Sequence, residues 1–198
     1  MQASCGRPAI TWTINRHNRL IVGVILSEPT LFDFSPDVLA WLARNGWHTD
    51  RAVDVPSWIP SQHCAHSILQ SFGGLSFLSY DDEFPDEPTA ELEFRPLTLK
   101  DKTATIWSRL LRSKVVGIGY GHNQHENVYA DADGRIYGGS LMHDAFYLRG
   151  LTLPDCFHNL LTNTRARSML RPDQRSVMLY GVTFTSASEE VYRYKQTK

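Results

Sequence analysis

Between Ser35 and Leu161 the spacing of apolar residues switches repeatedly between the 3.6 of a helix and the 2 of a strand. The switches do not follow the strand–helix–strand alternation that builds a parallel sheet. Such a chain is expected to fold as α+β, a largely antiparallel sheet flanked by about four helices. The helical segments carry their own boundary signals. Ser35-Pro36-Asp37 offers an N-cap, a first-turn proline and an acid suited to the helix dipole, and Val38, Trp41 and Leu42 then share a face until Asn45-Gly46. A second helix is predicted from about Pro60 to Phe72. It turns Cys64, Ala65, Ile68, Leu69 and Phe72 inward and His63, His66 and Gln70 to water, and Gly73-Gly74 supplies a left-handed stop. Asp101 opens a third helix with Ile106, Trp107, Leu110 and Leu111 inside. Thr152-Leu-Pro-Asp155 opens a fourth, whose stripe of Leu153, Cys156, Phe157, Leu160 and Leu161 is predicted to continue toward Leu170.

Period two governs the rest. Residues 10–14 and 20–26 read as two N-terminal strands, and residues 75–80 and 91–94 as two more joined by an acidic connector. Residues 115–118, 127–130 and 135–137 are short strands, the last two linked by the turn Asp131-Ala-Asp-Gly134, and residues 177–185 form a further strand. With 198 residues, 42% of them hydrophobic, the chain suffices for a single domain, 1–198, with a real core.

Several kinds of chemistry lose support at this level. Twenty Lys and Arg against 21 Asp and Glu give a formal charge of −1, so no nucleic-acid partner is expected. The longest apolar run, residues 20–26, is far short of the roughly 20 residues of a membrane span and has no signal-peptide context, so neither membrane nor export is expected and the cytoplasm is the default. Cys5, Cys64 and Cys156 form neither a disulfide framework nor a zinc pattern. Gly117-Ile-Gly-Tyr-Gly121 has two glycines of a dinucleotide fingerprint but His122 at the next position and a strand after it, which predicts a bend or bulge. His63-x-x-His66 and His122-x-x-His125 lack the carboxylate or the i, i+4 spacing of helical zinc sites and read as surface histidines. There is no G-x-S-x-G or S-x-x-K, and Tyr129 and Ser140 occupy the key ligand positions of a calcium loop around Asp131 and Asp133. No catalytic residue, metal or cofactor is assigned.

The informative feature is charge distribution. From residue 52 to 94 there is no Lys or Arg, yet Asp54, Asp81, Asp82, Glu83, Asp86, Glu87, Glu91 and Glu93 occur there. Concentrated acid on a neutral protein steers a basic partner, and Tyr80 and Phe84 in the same stretch can anchor it. Tyr80, Asp81, Asp82, Glu83, Phe84, Asp86 and Glu87 are therefore the candidate partner-binding residues. The basic run Arg165, Arg167, Arg171 and Arg175 is expected on the exposed face of the last helix.

Separate segments also resemble one family. Phe34-Ser-Pro-Asp-Val-Leu39, Leu42-Ala-Arg-Asn-Gly-Trp47, Arg51, Phe72-Gly-Gly-Leu75, Val116-Gly-Ile-Gly119, Tyr129-Ala-Asp-Ala-Asp-Gly-Arg-Ile-Tyr137 and Gly150-Leu-Thr152 are similar, in order and spacing, to the SUKH superfamily in its third subgroup. The resemblance covers residues 34–162, leaving a strand extension at 1–30 and a second extension at 163–198. It implies an α+β immunity protein of bacterial polymorphic-toxin or contact-dependent inhibition systems. Such a protein binds and occludes a cognate protein toxin, often a nuclease or deaminase, and has no catalytic residues of its own. The competing expectation is a non-enzymatic regulatory scaffold like the superfamily's fungal relatives; the lack of a long disordered arm here favours the former.

Overall fold

The computed structural model describes residues 32–81, 84–179 and 181–194, and of residues 79–81 and 84–90 the backbone alone. The strands expected at residues 10–14 and 20–26 lie outside the described residues. Four helices are described: α1 (Pro36–Arg44), α2 (Cys64–Phe72), α3 (Lys102–Leu111) and α4 (Leu153–Leu161). Seven strands pair antiparallel in chain order: β1 (Ser76–Asp81), β2 (Phe84–Phe94), β3 (Val115–Gly121), β4 (Glu126–Asp131), β5 (Ile136–Ser140), β6 (Phe146–Gly150) and β7 (Arg167–Met169). A separate hairpin joins β8 (Ser176–Leu179) to β9 (Val182–Thr185). The α+β, largely antiparallel architecture expected from the periodicity is the one found.

The helices begin where their caps place them. Ser35 Oγ accepts from the Val38 N–H, the Asp101 carboxylate from Ala104 at 2.9 Å, and Thr152 Oγ from Asp155 at 3.1 Å. Helix α2 differs from expectation. It starts at Cys64, and His63, expected in water, is a buried N-cap: its Nδ1 accepts the Ala65 N–H at 3.0 Å, which leaves Nε2 to donate to the Lys114 carbonyl at 2.9 Å. At the far end Gly74, φ +81°, makes the left-handed turn that a side chain would strain.

One sheet face is covered by α1, α2 and α4. Val38, Trp41, Leu42, Ile68, Phe72 and Phe157 pack there on Phe77, Leu92, Phe94, Ile118 and Val128, with the Phe72 ring stacked on Trp47 at 5.5 Å. The other face carries α3, whose Trp107 stacks on Phe146 at 4.2 Å beside Tyr129 and Tyr137, with the C-terminal Tyr194 edge-on to it. Covering both faces explains why β6 is buried at every position and shows no alternation, so that no strand was expected there.

Four further expectations are corrected. The acidic connector is mostly strand, since β2 reaches back to Phe84 and pairs with β1 from Glu93 to the tip. Helix α4 stops at Leu161, where Asn163 turns left-handed at φ +50° and the chain re-enters the sheet as β7. The basic run consequently shares no helical face: Arg167 is on β7, while Arg171, beyond it, binds the Asp144 carboxylate with both guanidinium nitrogens at 2.6 Å. Residues 177–185 are two strands of a hairpin turning at Gly181, φ +73°, not one. The glycine run of β3 does hold the expected irregularity, a register shift between Gly117 and Gly119.

Candidate functional surface

Strand direction alternates along the seven-stranded sheet, so the β1–β2, β3–β4 and β5–β6 turns lie together at one end. At the other end are the β4–β5 turn and the connections through α3 and α4. The first end, here the rim, gathers the acidic stretch. Tyr80 and Asp81 end β1, and Phe84, Asp86 and Glu87 begin β2, with Tyr80 opposite Pro88 and Asp81 opposite Phe84. Asp82 and Glu83 lie outside the described residues. Because β2 pairs with β3 only at Leu92, Glu93 and Phe94, and Glu91 then bonds to the β3–β4 turn, the β2 backbone from Phe84 to Ala90 has β1 as its paired strand and carries the hairpin past that turn.

The neighbouring turns are tied to that hairpin and to each other. His122, Asn123 and Gln124 run consecutively at φ +47°, +52° and +65°, a left-handed series unusual for residues with side chains. The series is held by Glu91, whose carbonyl accepts the His122 N–H and whose carboxylate accepts the Asn123 N–H at 3.0 Å. The Leu141 N–H donates to the His125 carbonyl at 2.8 Å, joining the β5–β6 turn to the β3–β4 turn. Within the β5–β6 turn Ser140 Oγ accepts from the Met142 and His143 N–H groups, and Arg171 and Gln174 grip Asp144 from outside.

Beneath the rim sits an ion pair out of water. Glu126 and Arg149, 1% and 9% exposed at their side chains, meet in a two-pronged contact, Nε to Oε1 at 2.7 Å and Nη2 to Oε2 at 3.0 Å. Gly138 makes room for it, because a Cβ there would collide with Glu126 Oε1 and the Tyr147 ring. The Arg149 carbonyl accepts from Asn159, linking the pair to α4. His122 Nε2 lies 3.6 Å from Glu126 Oε2, and burial moves its imidazole below its ordinary range despite the adjacent carboxylate.

Over this pair opens a cavity of about 210 Å³ lined by His122, His125, Glu126, Ser140, His143 and Tyr147, with Met142, Leu179 and Gly181 completing its wall. His122 and His125 were already a spaced pair in the sequence. The remaining members come from β4, β5, β6, the β5–β6 turn and the β8–β9 hairpin, and no local pattern announces that they converge. Among the described residues no three His, Cys, Asp or Glu side chains are placed to hold a metal ion. The Cys156 thiol beside Arg149 is pushed up by burial and stays protonated. Exposed Leu141, Met142, Met178 and Val182 add apolar surface on the β5–β6 turn and the β8–β9 hairpin. Carboxylates, imidazoles and exposed apolar groups thus occur together on tied turns at this end of the sheet.

No helix among the described residues is long and apolar enough to cross a membrane. In comparisons with known proteins, the family model described as SUKH-3 immunity protein matches residues 34–163, from just before α1 through α4. No curated protein and no solved structure matches the chain.

Proposed function

Since the chain belongs to the SUKH-3 immunity protein family, we propose that it binds one cognate toxin and neutralises it by covering the toxin's active site, without chemistry of its own. The observation that carries this reading is the extent of the family match, residues 34–163, which takes in all four helices and β1 to β6. The contact surface is the rim: the acids from Asp81 to Glu93 draw in a cationic cleft, of the kind a nuclease or nucleic-acid deaminase needs for its own substrate. Tyr80 and Phe84 of the hairpin, with Leu141 and Met142 of the neighbouring turn, supply the apolar anchors that steering alone does not provide. Both partners then meet in the cytoplasm, where such a toxin acts.

The test is co-expression with a candidate toxin sought among the neighbouring open reading frames. Growth restored by the intact chain, together with a purified complex that blocks the toxin's turnover, is the expected result. A stable complex in which the toxin remains fully active would sink occlusion and favour a scaffold.

A further inference from the structure

We propose that the rim cavity is the receptacle for a single basic side chain, an arginine, of the bound toxin; this rests on the immunity reading above. Size is the first argument. At about 210 Å³ the cavity is smaller than the roughly 300–1,000 Å³ of sites that take small molecules and cofactors, so its occupant is of side-chain dimensions. Charge is the second. Glu126 is among the residues that line the cavity and Arg149 is not, so the acidic member of the buried pair is the one beside the opening. A further carboxylate, Glu91 of β2, binds the adjoining β3–β4 turn, and the Arg171 guanidinium in this region is already engaged by Asp144. Surface chemistry is the third. Three imidazoles and the Tyr147 ring give flat π faces, and Ser140 gives a hydroxyl, a lining that suits a planar guanidinium able to stack and to donate in its own plane. Burial keeps His122 neutral at pH 7, so it does not oppose a cation there.

The probe is N-acetyl-arginine methylamide, titrated into the full chain at pH 7.5 while the histidine ring resonances are followed by NMR. N-acetyl-norleucine methylamide and inorganic phosphate are run in parallel. Saturable shifts of His122, His125 and His143 with the arginine probe alone are expected. The double variant His125→Lys/His143→Lys changes two exposed positions, so the fold is kept, and it should weaken that response about tenfold or more by like-charge repulsion. Acidification should act in the same direction once His122, which faces Glu126, Arg149, Glu91 and His125, takes up a proton. Shifts with phosphate instead of arginine, equal shifts with norleucine, or no effect of the lysine pair would each overturn the proposal. Toxin co-expression separates the two levels. Failure of the intact chain to protect refutes the immunity reading while the arginine response stands, whereas protection without any arginine response refutes the cavity proposal alone.

Discussion

His63 shows how much one side chain can be asked to do. Both ring nitrogens are spent, one accepting from the first turn of α2 and the other donating to the carbonyl that leads into β3, so the fold accommodates only the neutral ring. Burial accordingly lowers its pKa from the ordinary 6.5. The unfolded chain therefore binds this proton at a higher pH than the folded one. The stabilisation is complete above pH 6.5 and is lost as pH falls from there toward the folded value. His122 is shifted in the same direction and adds to the slope. Melting temperature should drop as pH goes from about 7.5 to 5, and His63→Asn, which still caps but does not titrate, should flatten that dependence. An unchanged slope would mean the titrating group lies elsewhere. The Glu126–Arg149 pair makes a second demand. Replacing Arg149 by Met leaves a buried carboxylate without its partner and should cost about 3–5 kcal/mol in chemical denaturation, more than any exposed pair of this protein. A loss below about 1 kcal/mol would mean that water reaches Glu126 once the guanidinium is gone.

At the scale of elements, the central contact is the end of α2 against the Gly46-Trp47 turn. Phe72 is fully buried among Trp47, Phe34, Phe77, Phe94 and Phe157, so the aromatic cluster joins two helices, α2 and α4, and the segments flanking α1 to two strands. Phe72→Ala or Trp47→Ala should lose about 3–5 kcal/mol of stability, read from denaturant midpoints at constant slope. Unaltered unfolding with lost toxin binding would make either residue part of the interface instead. Elements of this kind were legible in the sequence because each helix announces its inner face with a period and α1, α3 and α4 announce their starts with a cap. Ser35, Asp101 and Thr152 do so within a few residues. The misses have a shared cause: they were decided by contacts distant in sequence. Strand β6 has no alternation because both its faces are covered, β7 looks like a helix extension until β6 offers it an edge, and His63 looks solvent-facing until Lys114 arrives from fifty-one residues away. The rim cavity is an extreme case, since its lining is drawn from separate turns and strands and only the His122, His125 spacing hinted at it.

For the whole molecule, the consequence of an alternating sheet is that one end collects the acidic hairpin and two further turns while the other holds the family's packed connections. On the proposed reading the hairpin acts first at a distance, because β2 carries its acids beyond the β3–β4 turn and no Lys or Arg lies between residues 52 and 94 to cancel them. Long-range attraction of this sort shows in the association rate, which should fall steeply with added salt as the Debye length shortens to about 8 Å at physiological strength. Dissociation, set by the anchors and by close contacts, should change little. Reversing Asp82, Glu83, Asp86 and Glu87 to Lys tests this directly. Charge reversal near the tip of a hairpin that rests on one neighbouring strand should leave melting within about 0.5 kcal/mol of the parent, so a binding defect cannot be blamed on unfolding. The variant should associate more slowly at low salt, lose most of its salt dependence, and protect cells less well at matched expression. The salt series matters as much as the rescue. Reduced protection with the salt dependence intact would show that the lysines obstruct the interface without having removed its steering charge. Full protection would put the binding face elsewhere on the molecule and leave the acids as a solvated edge of the sheet.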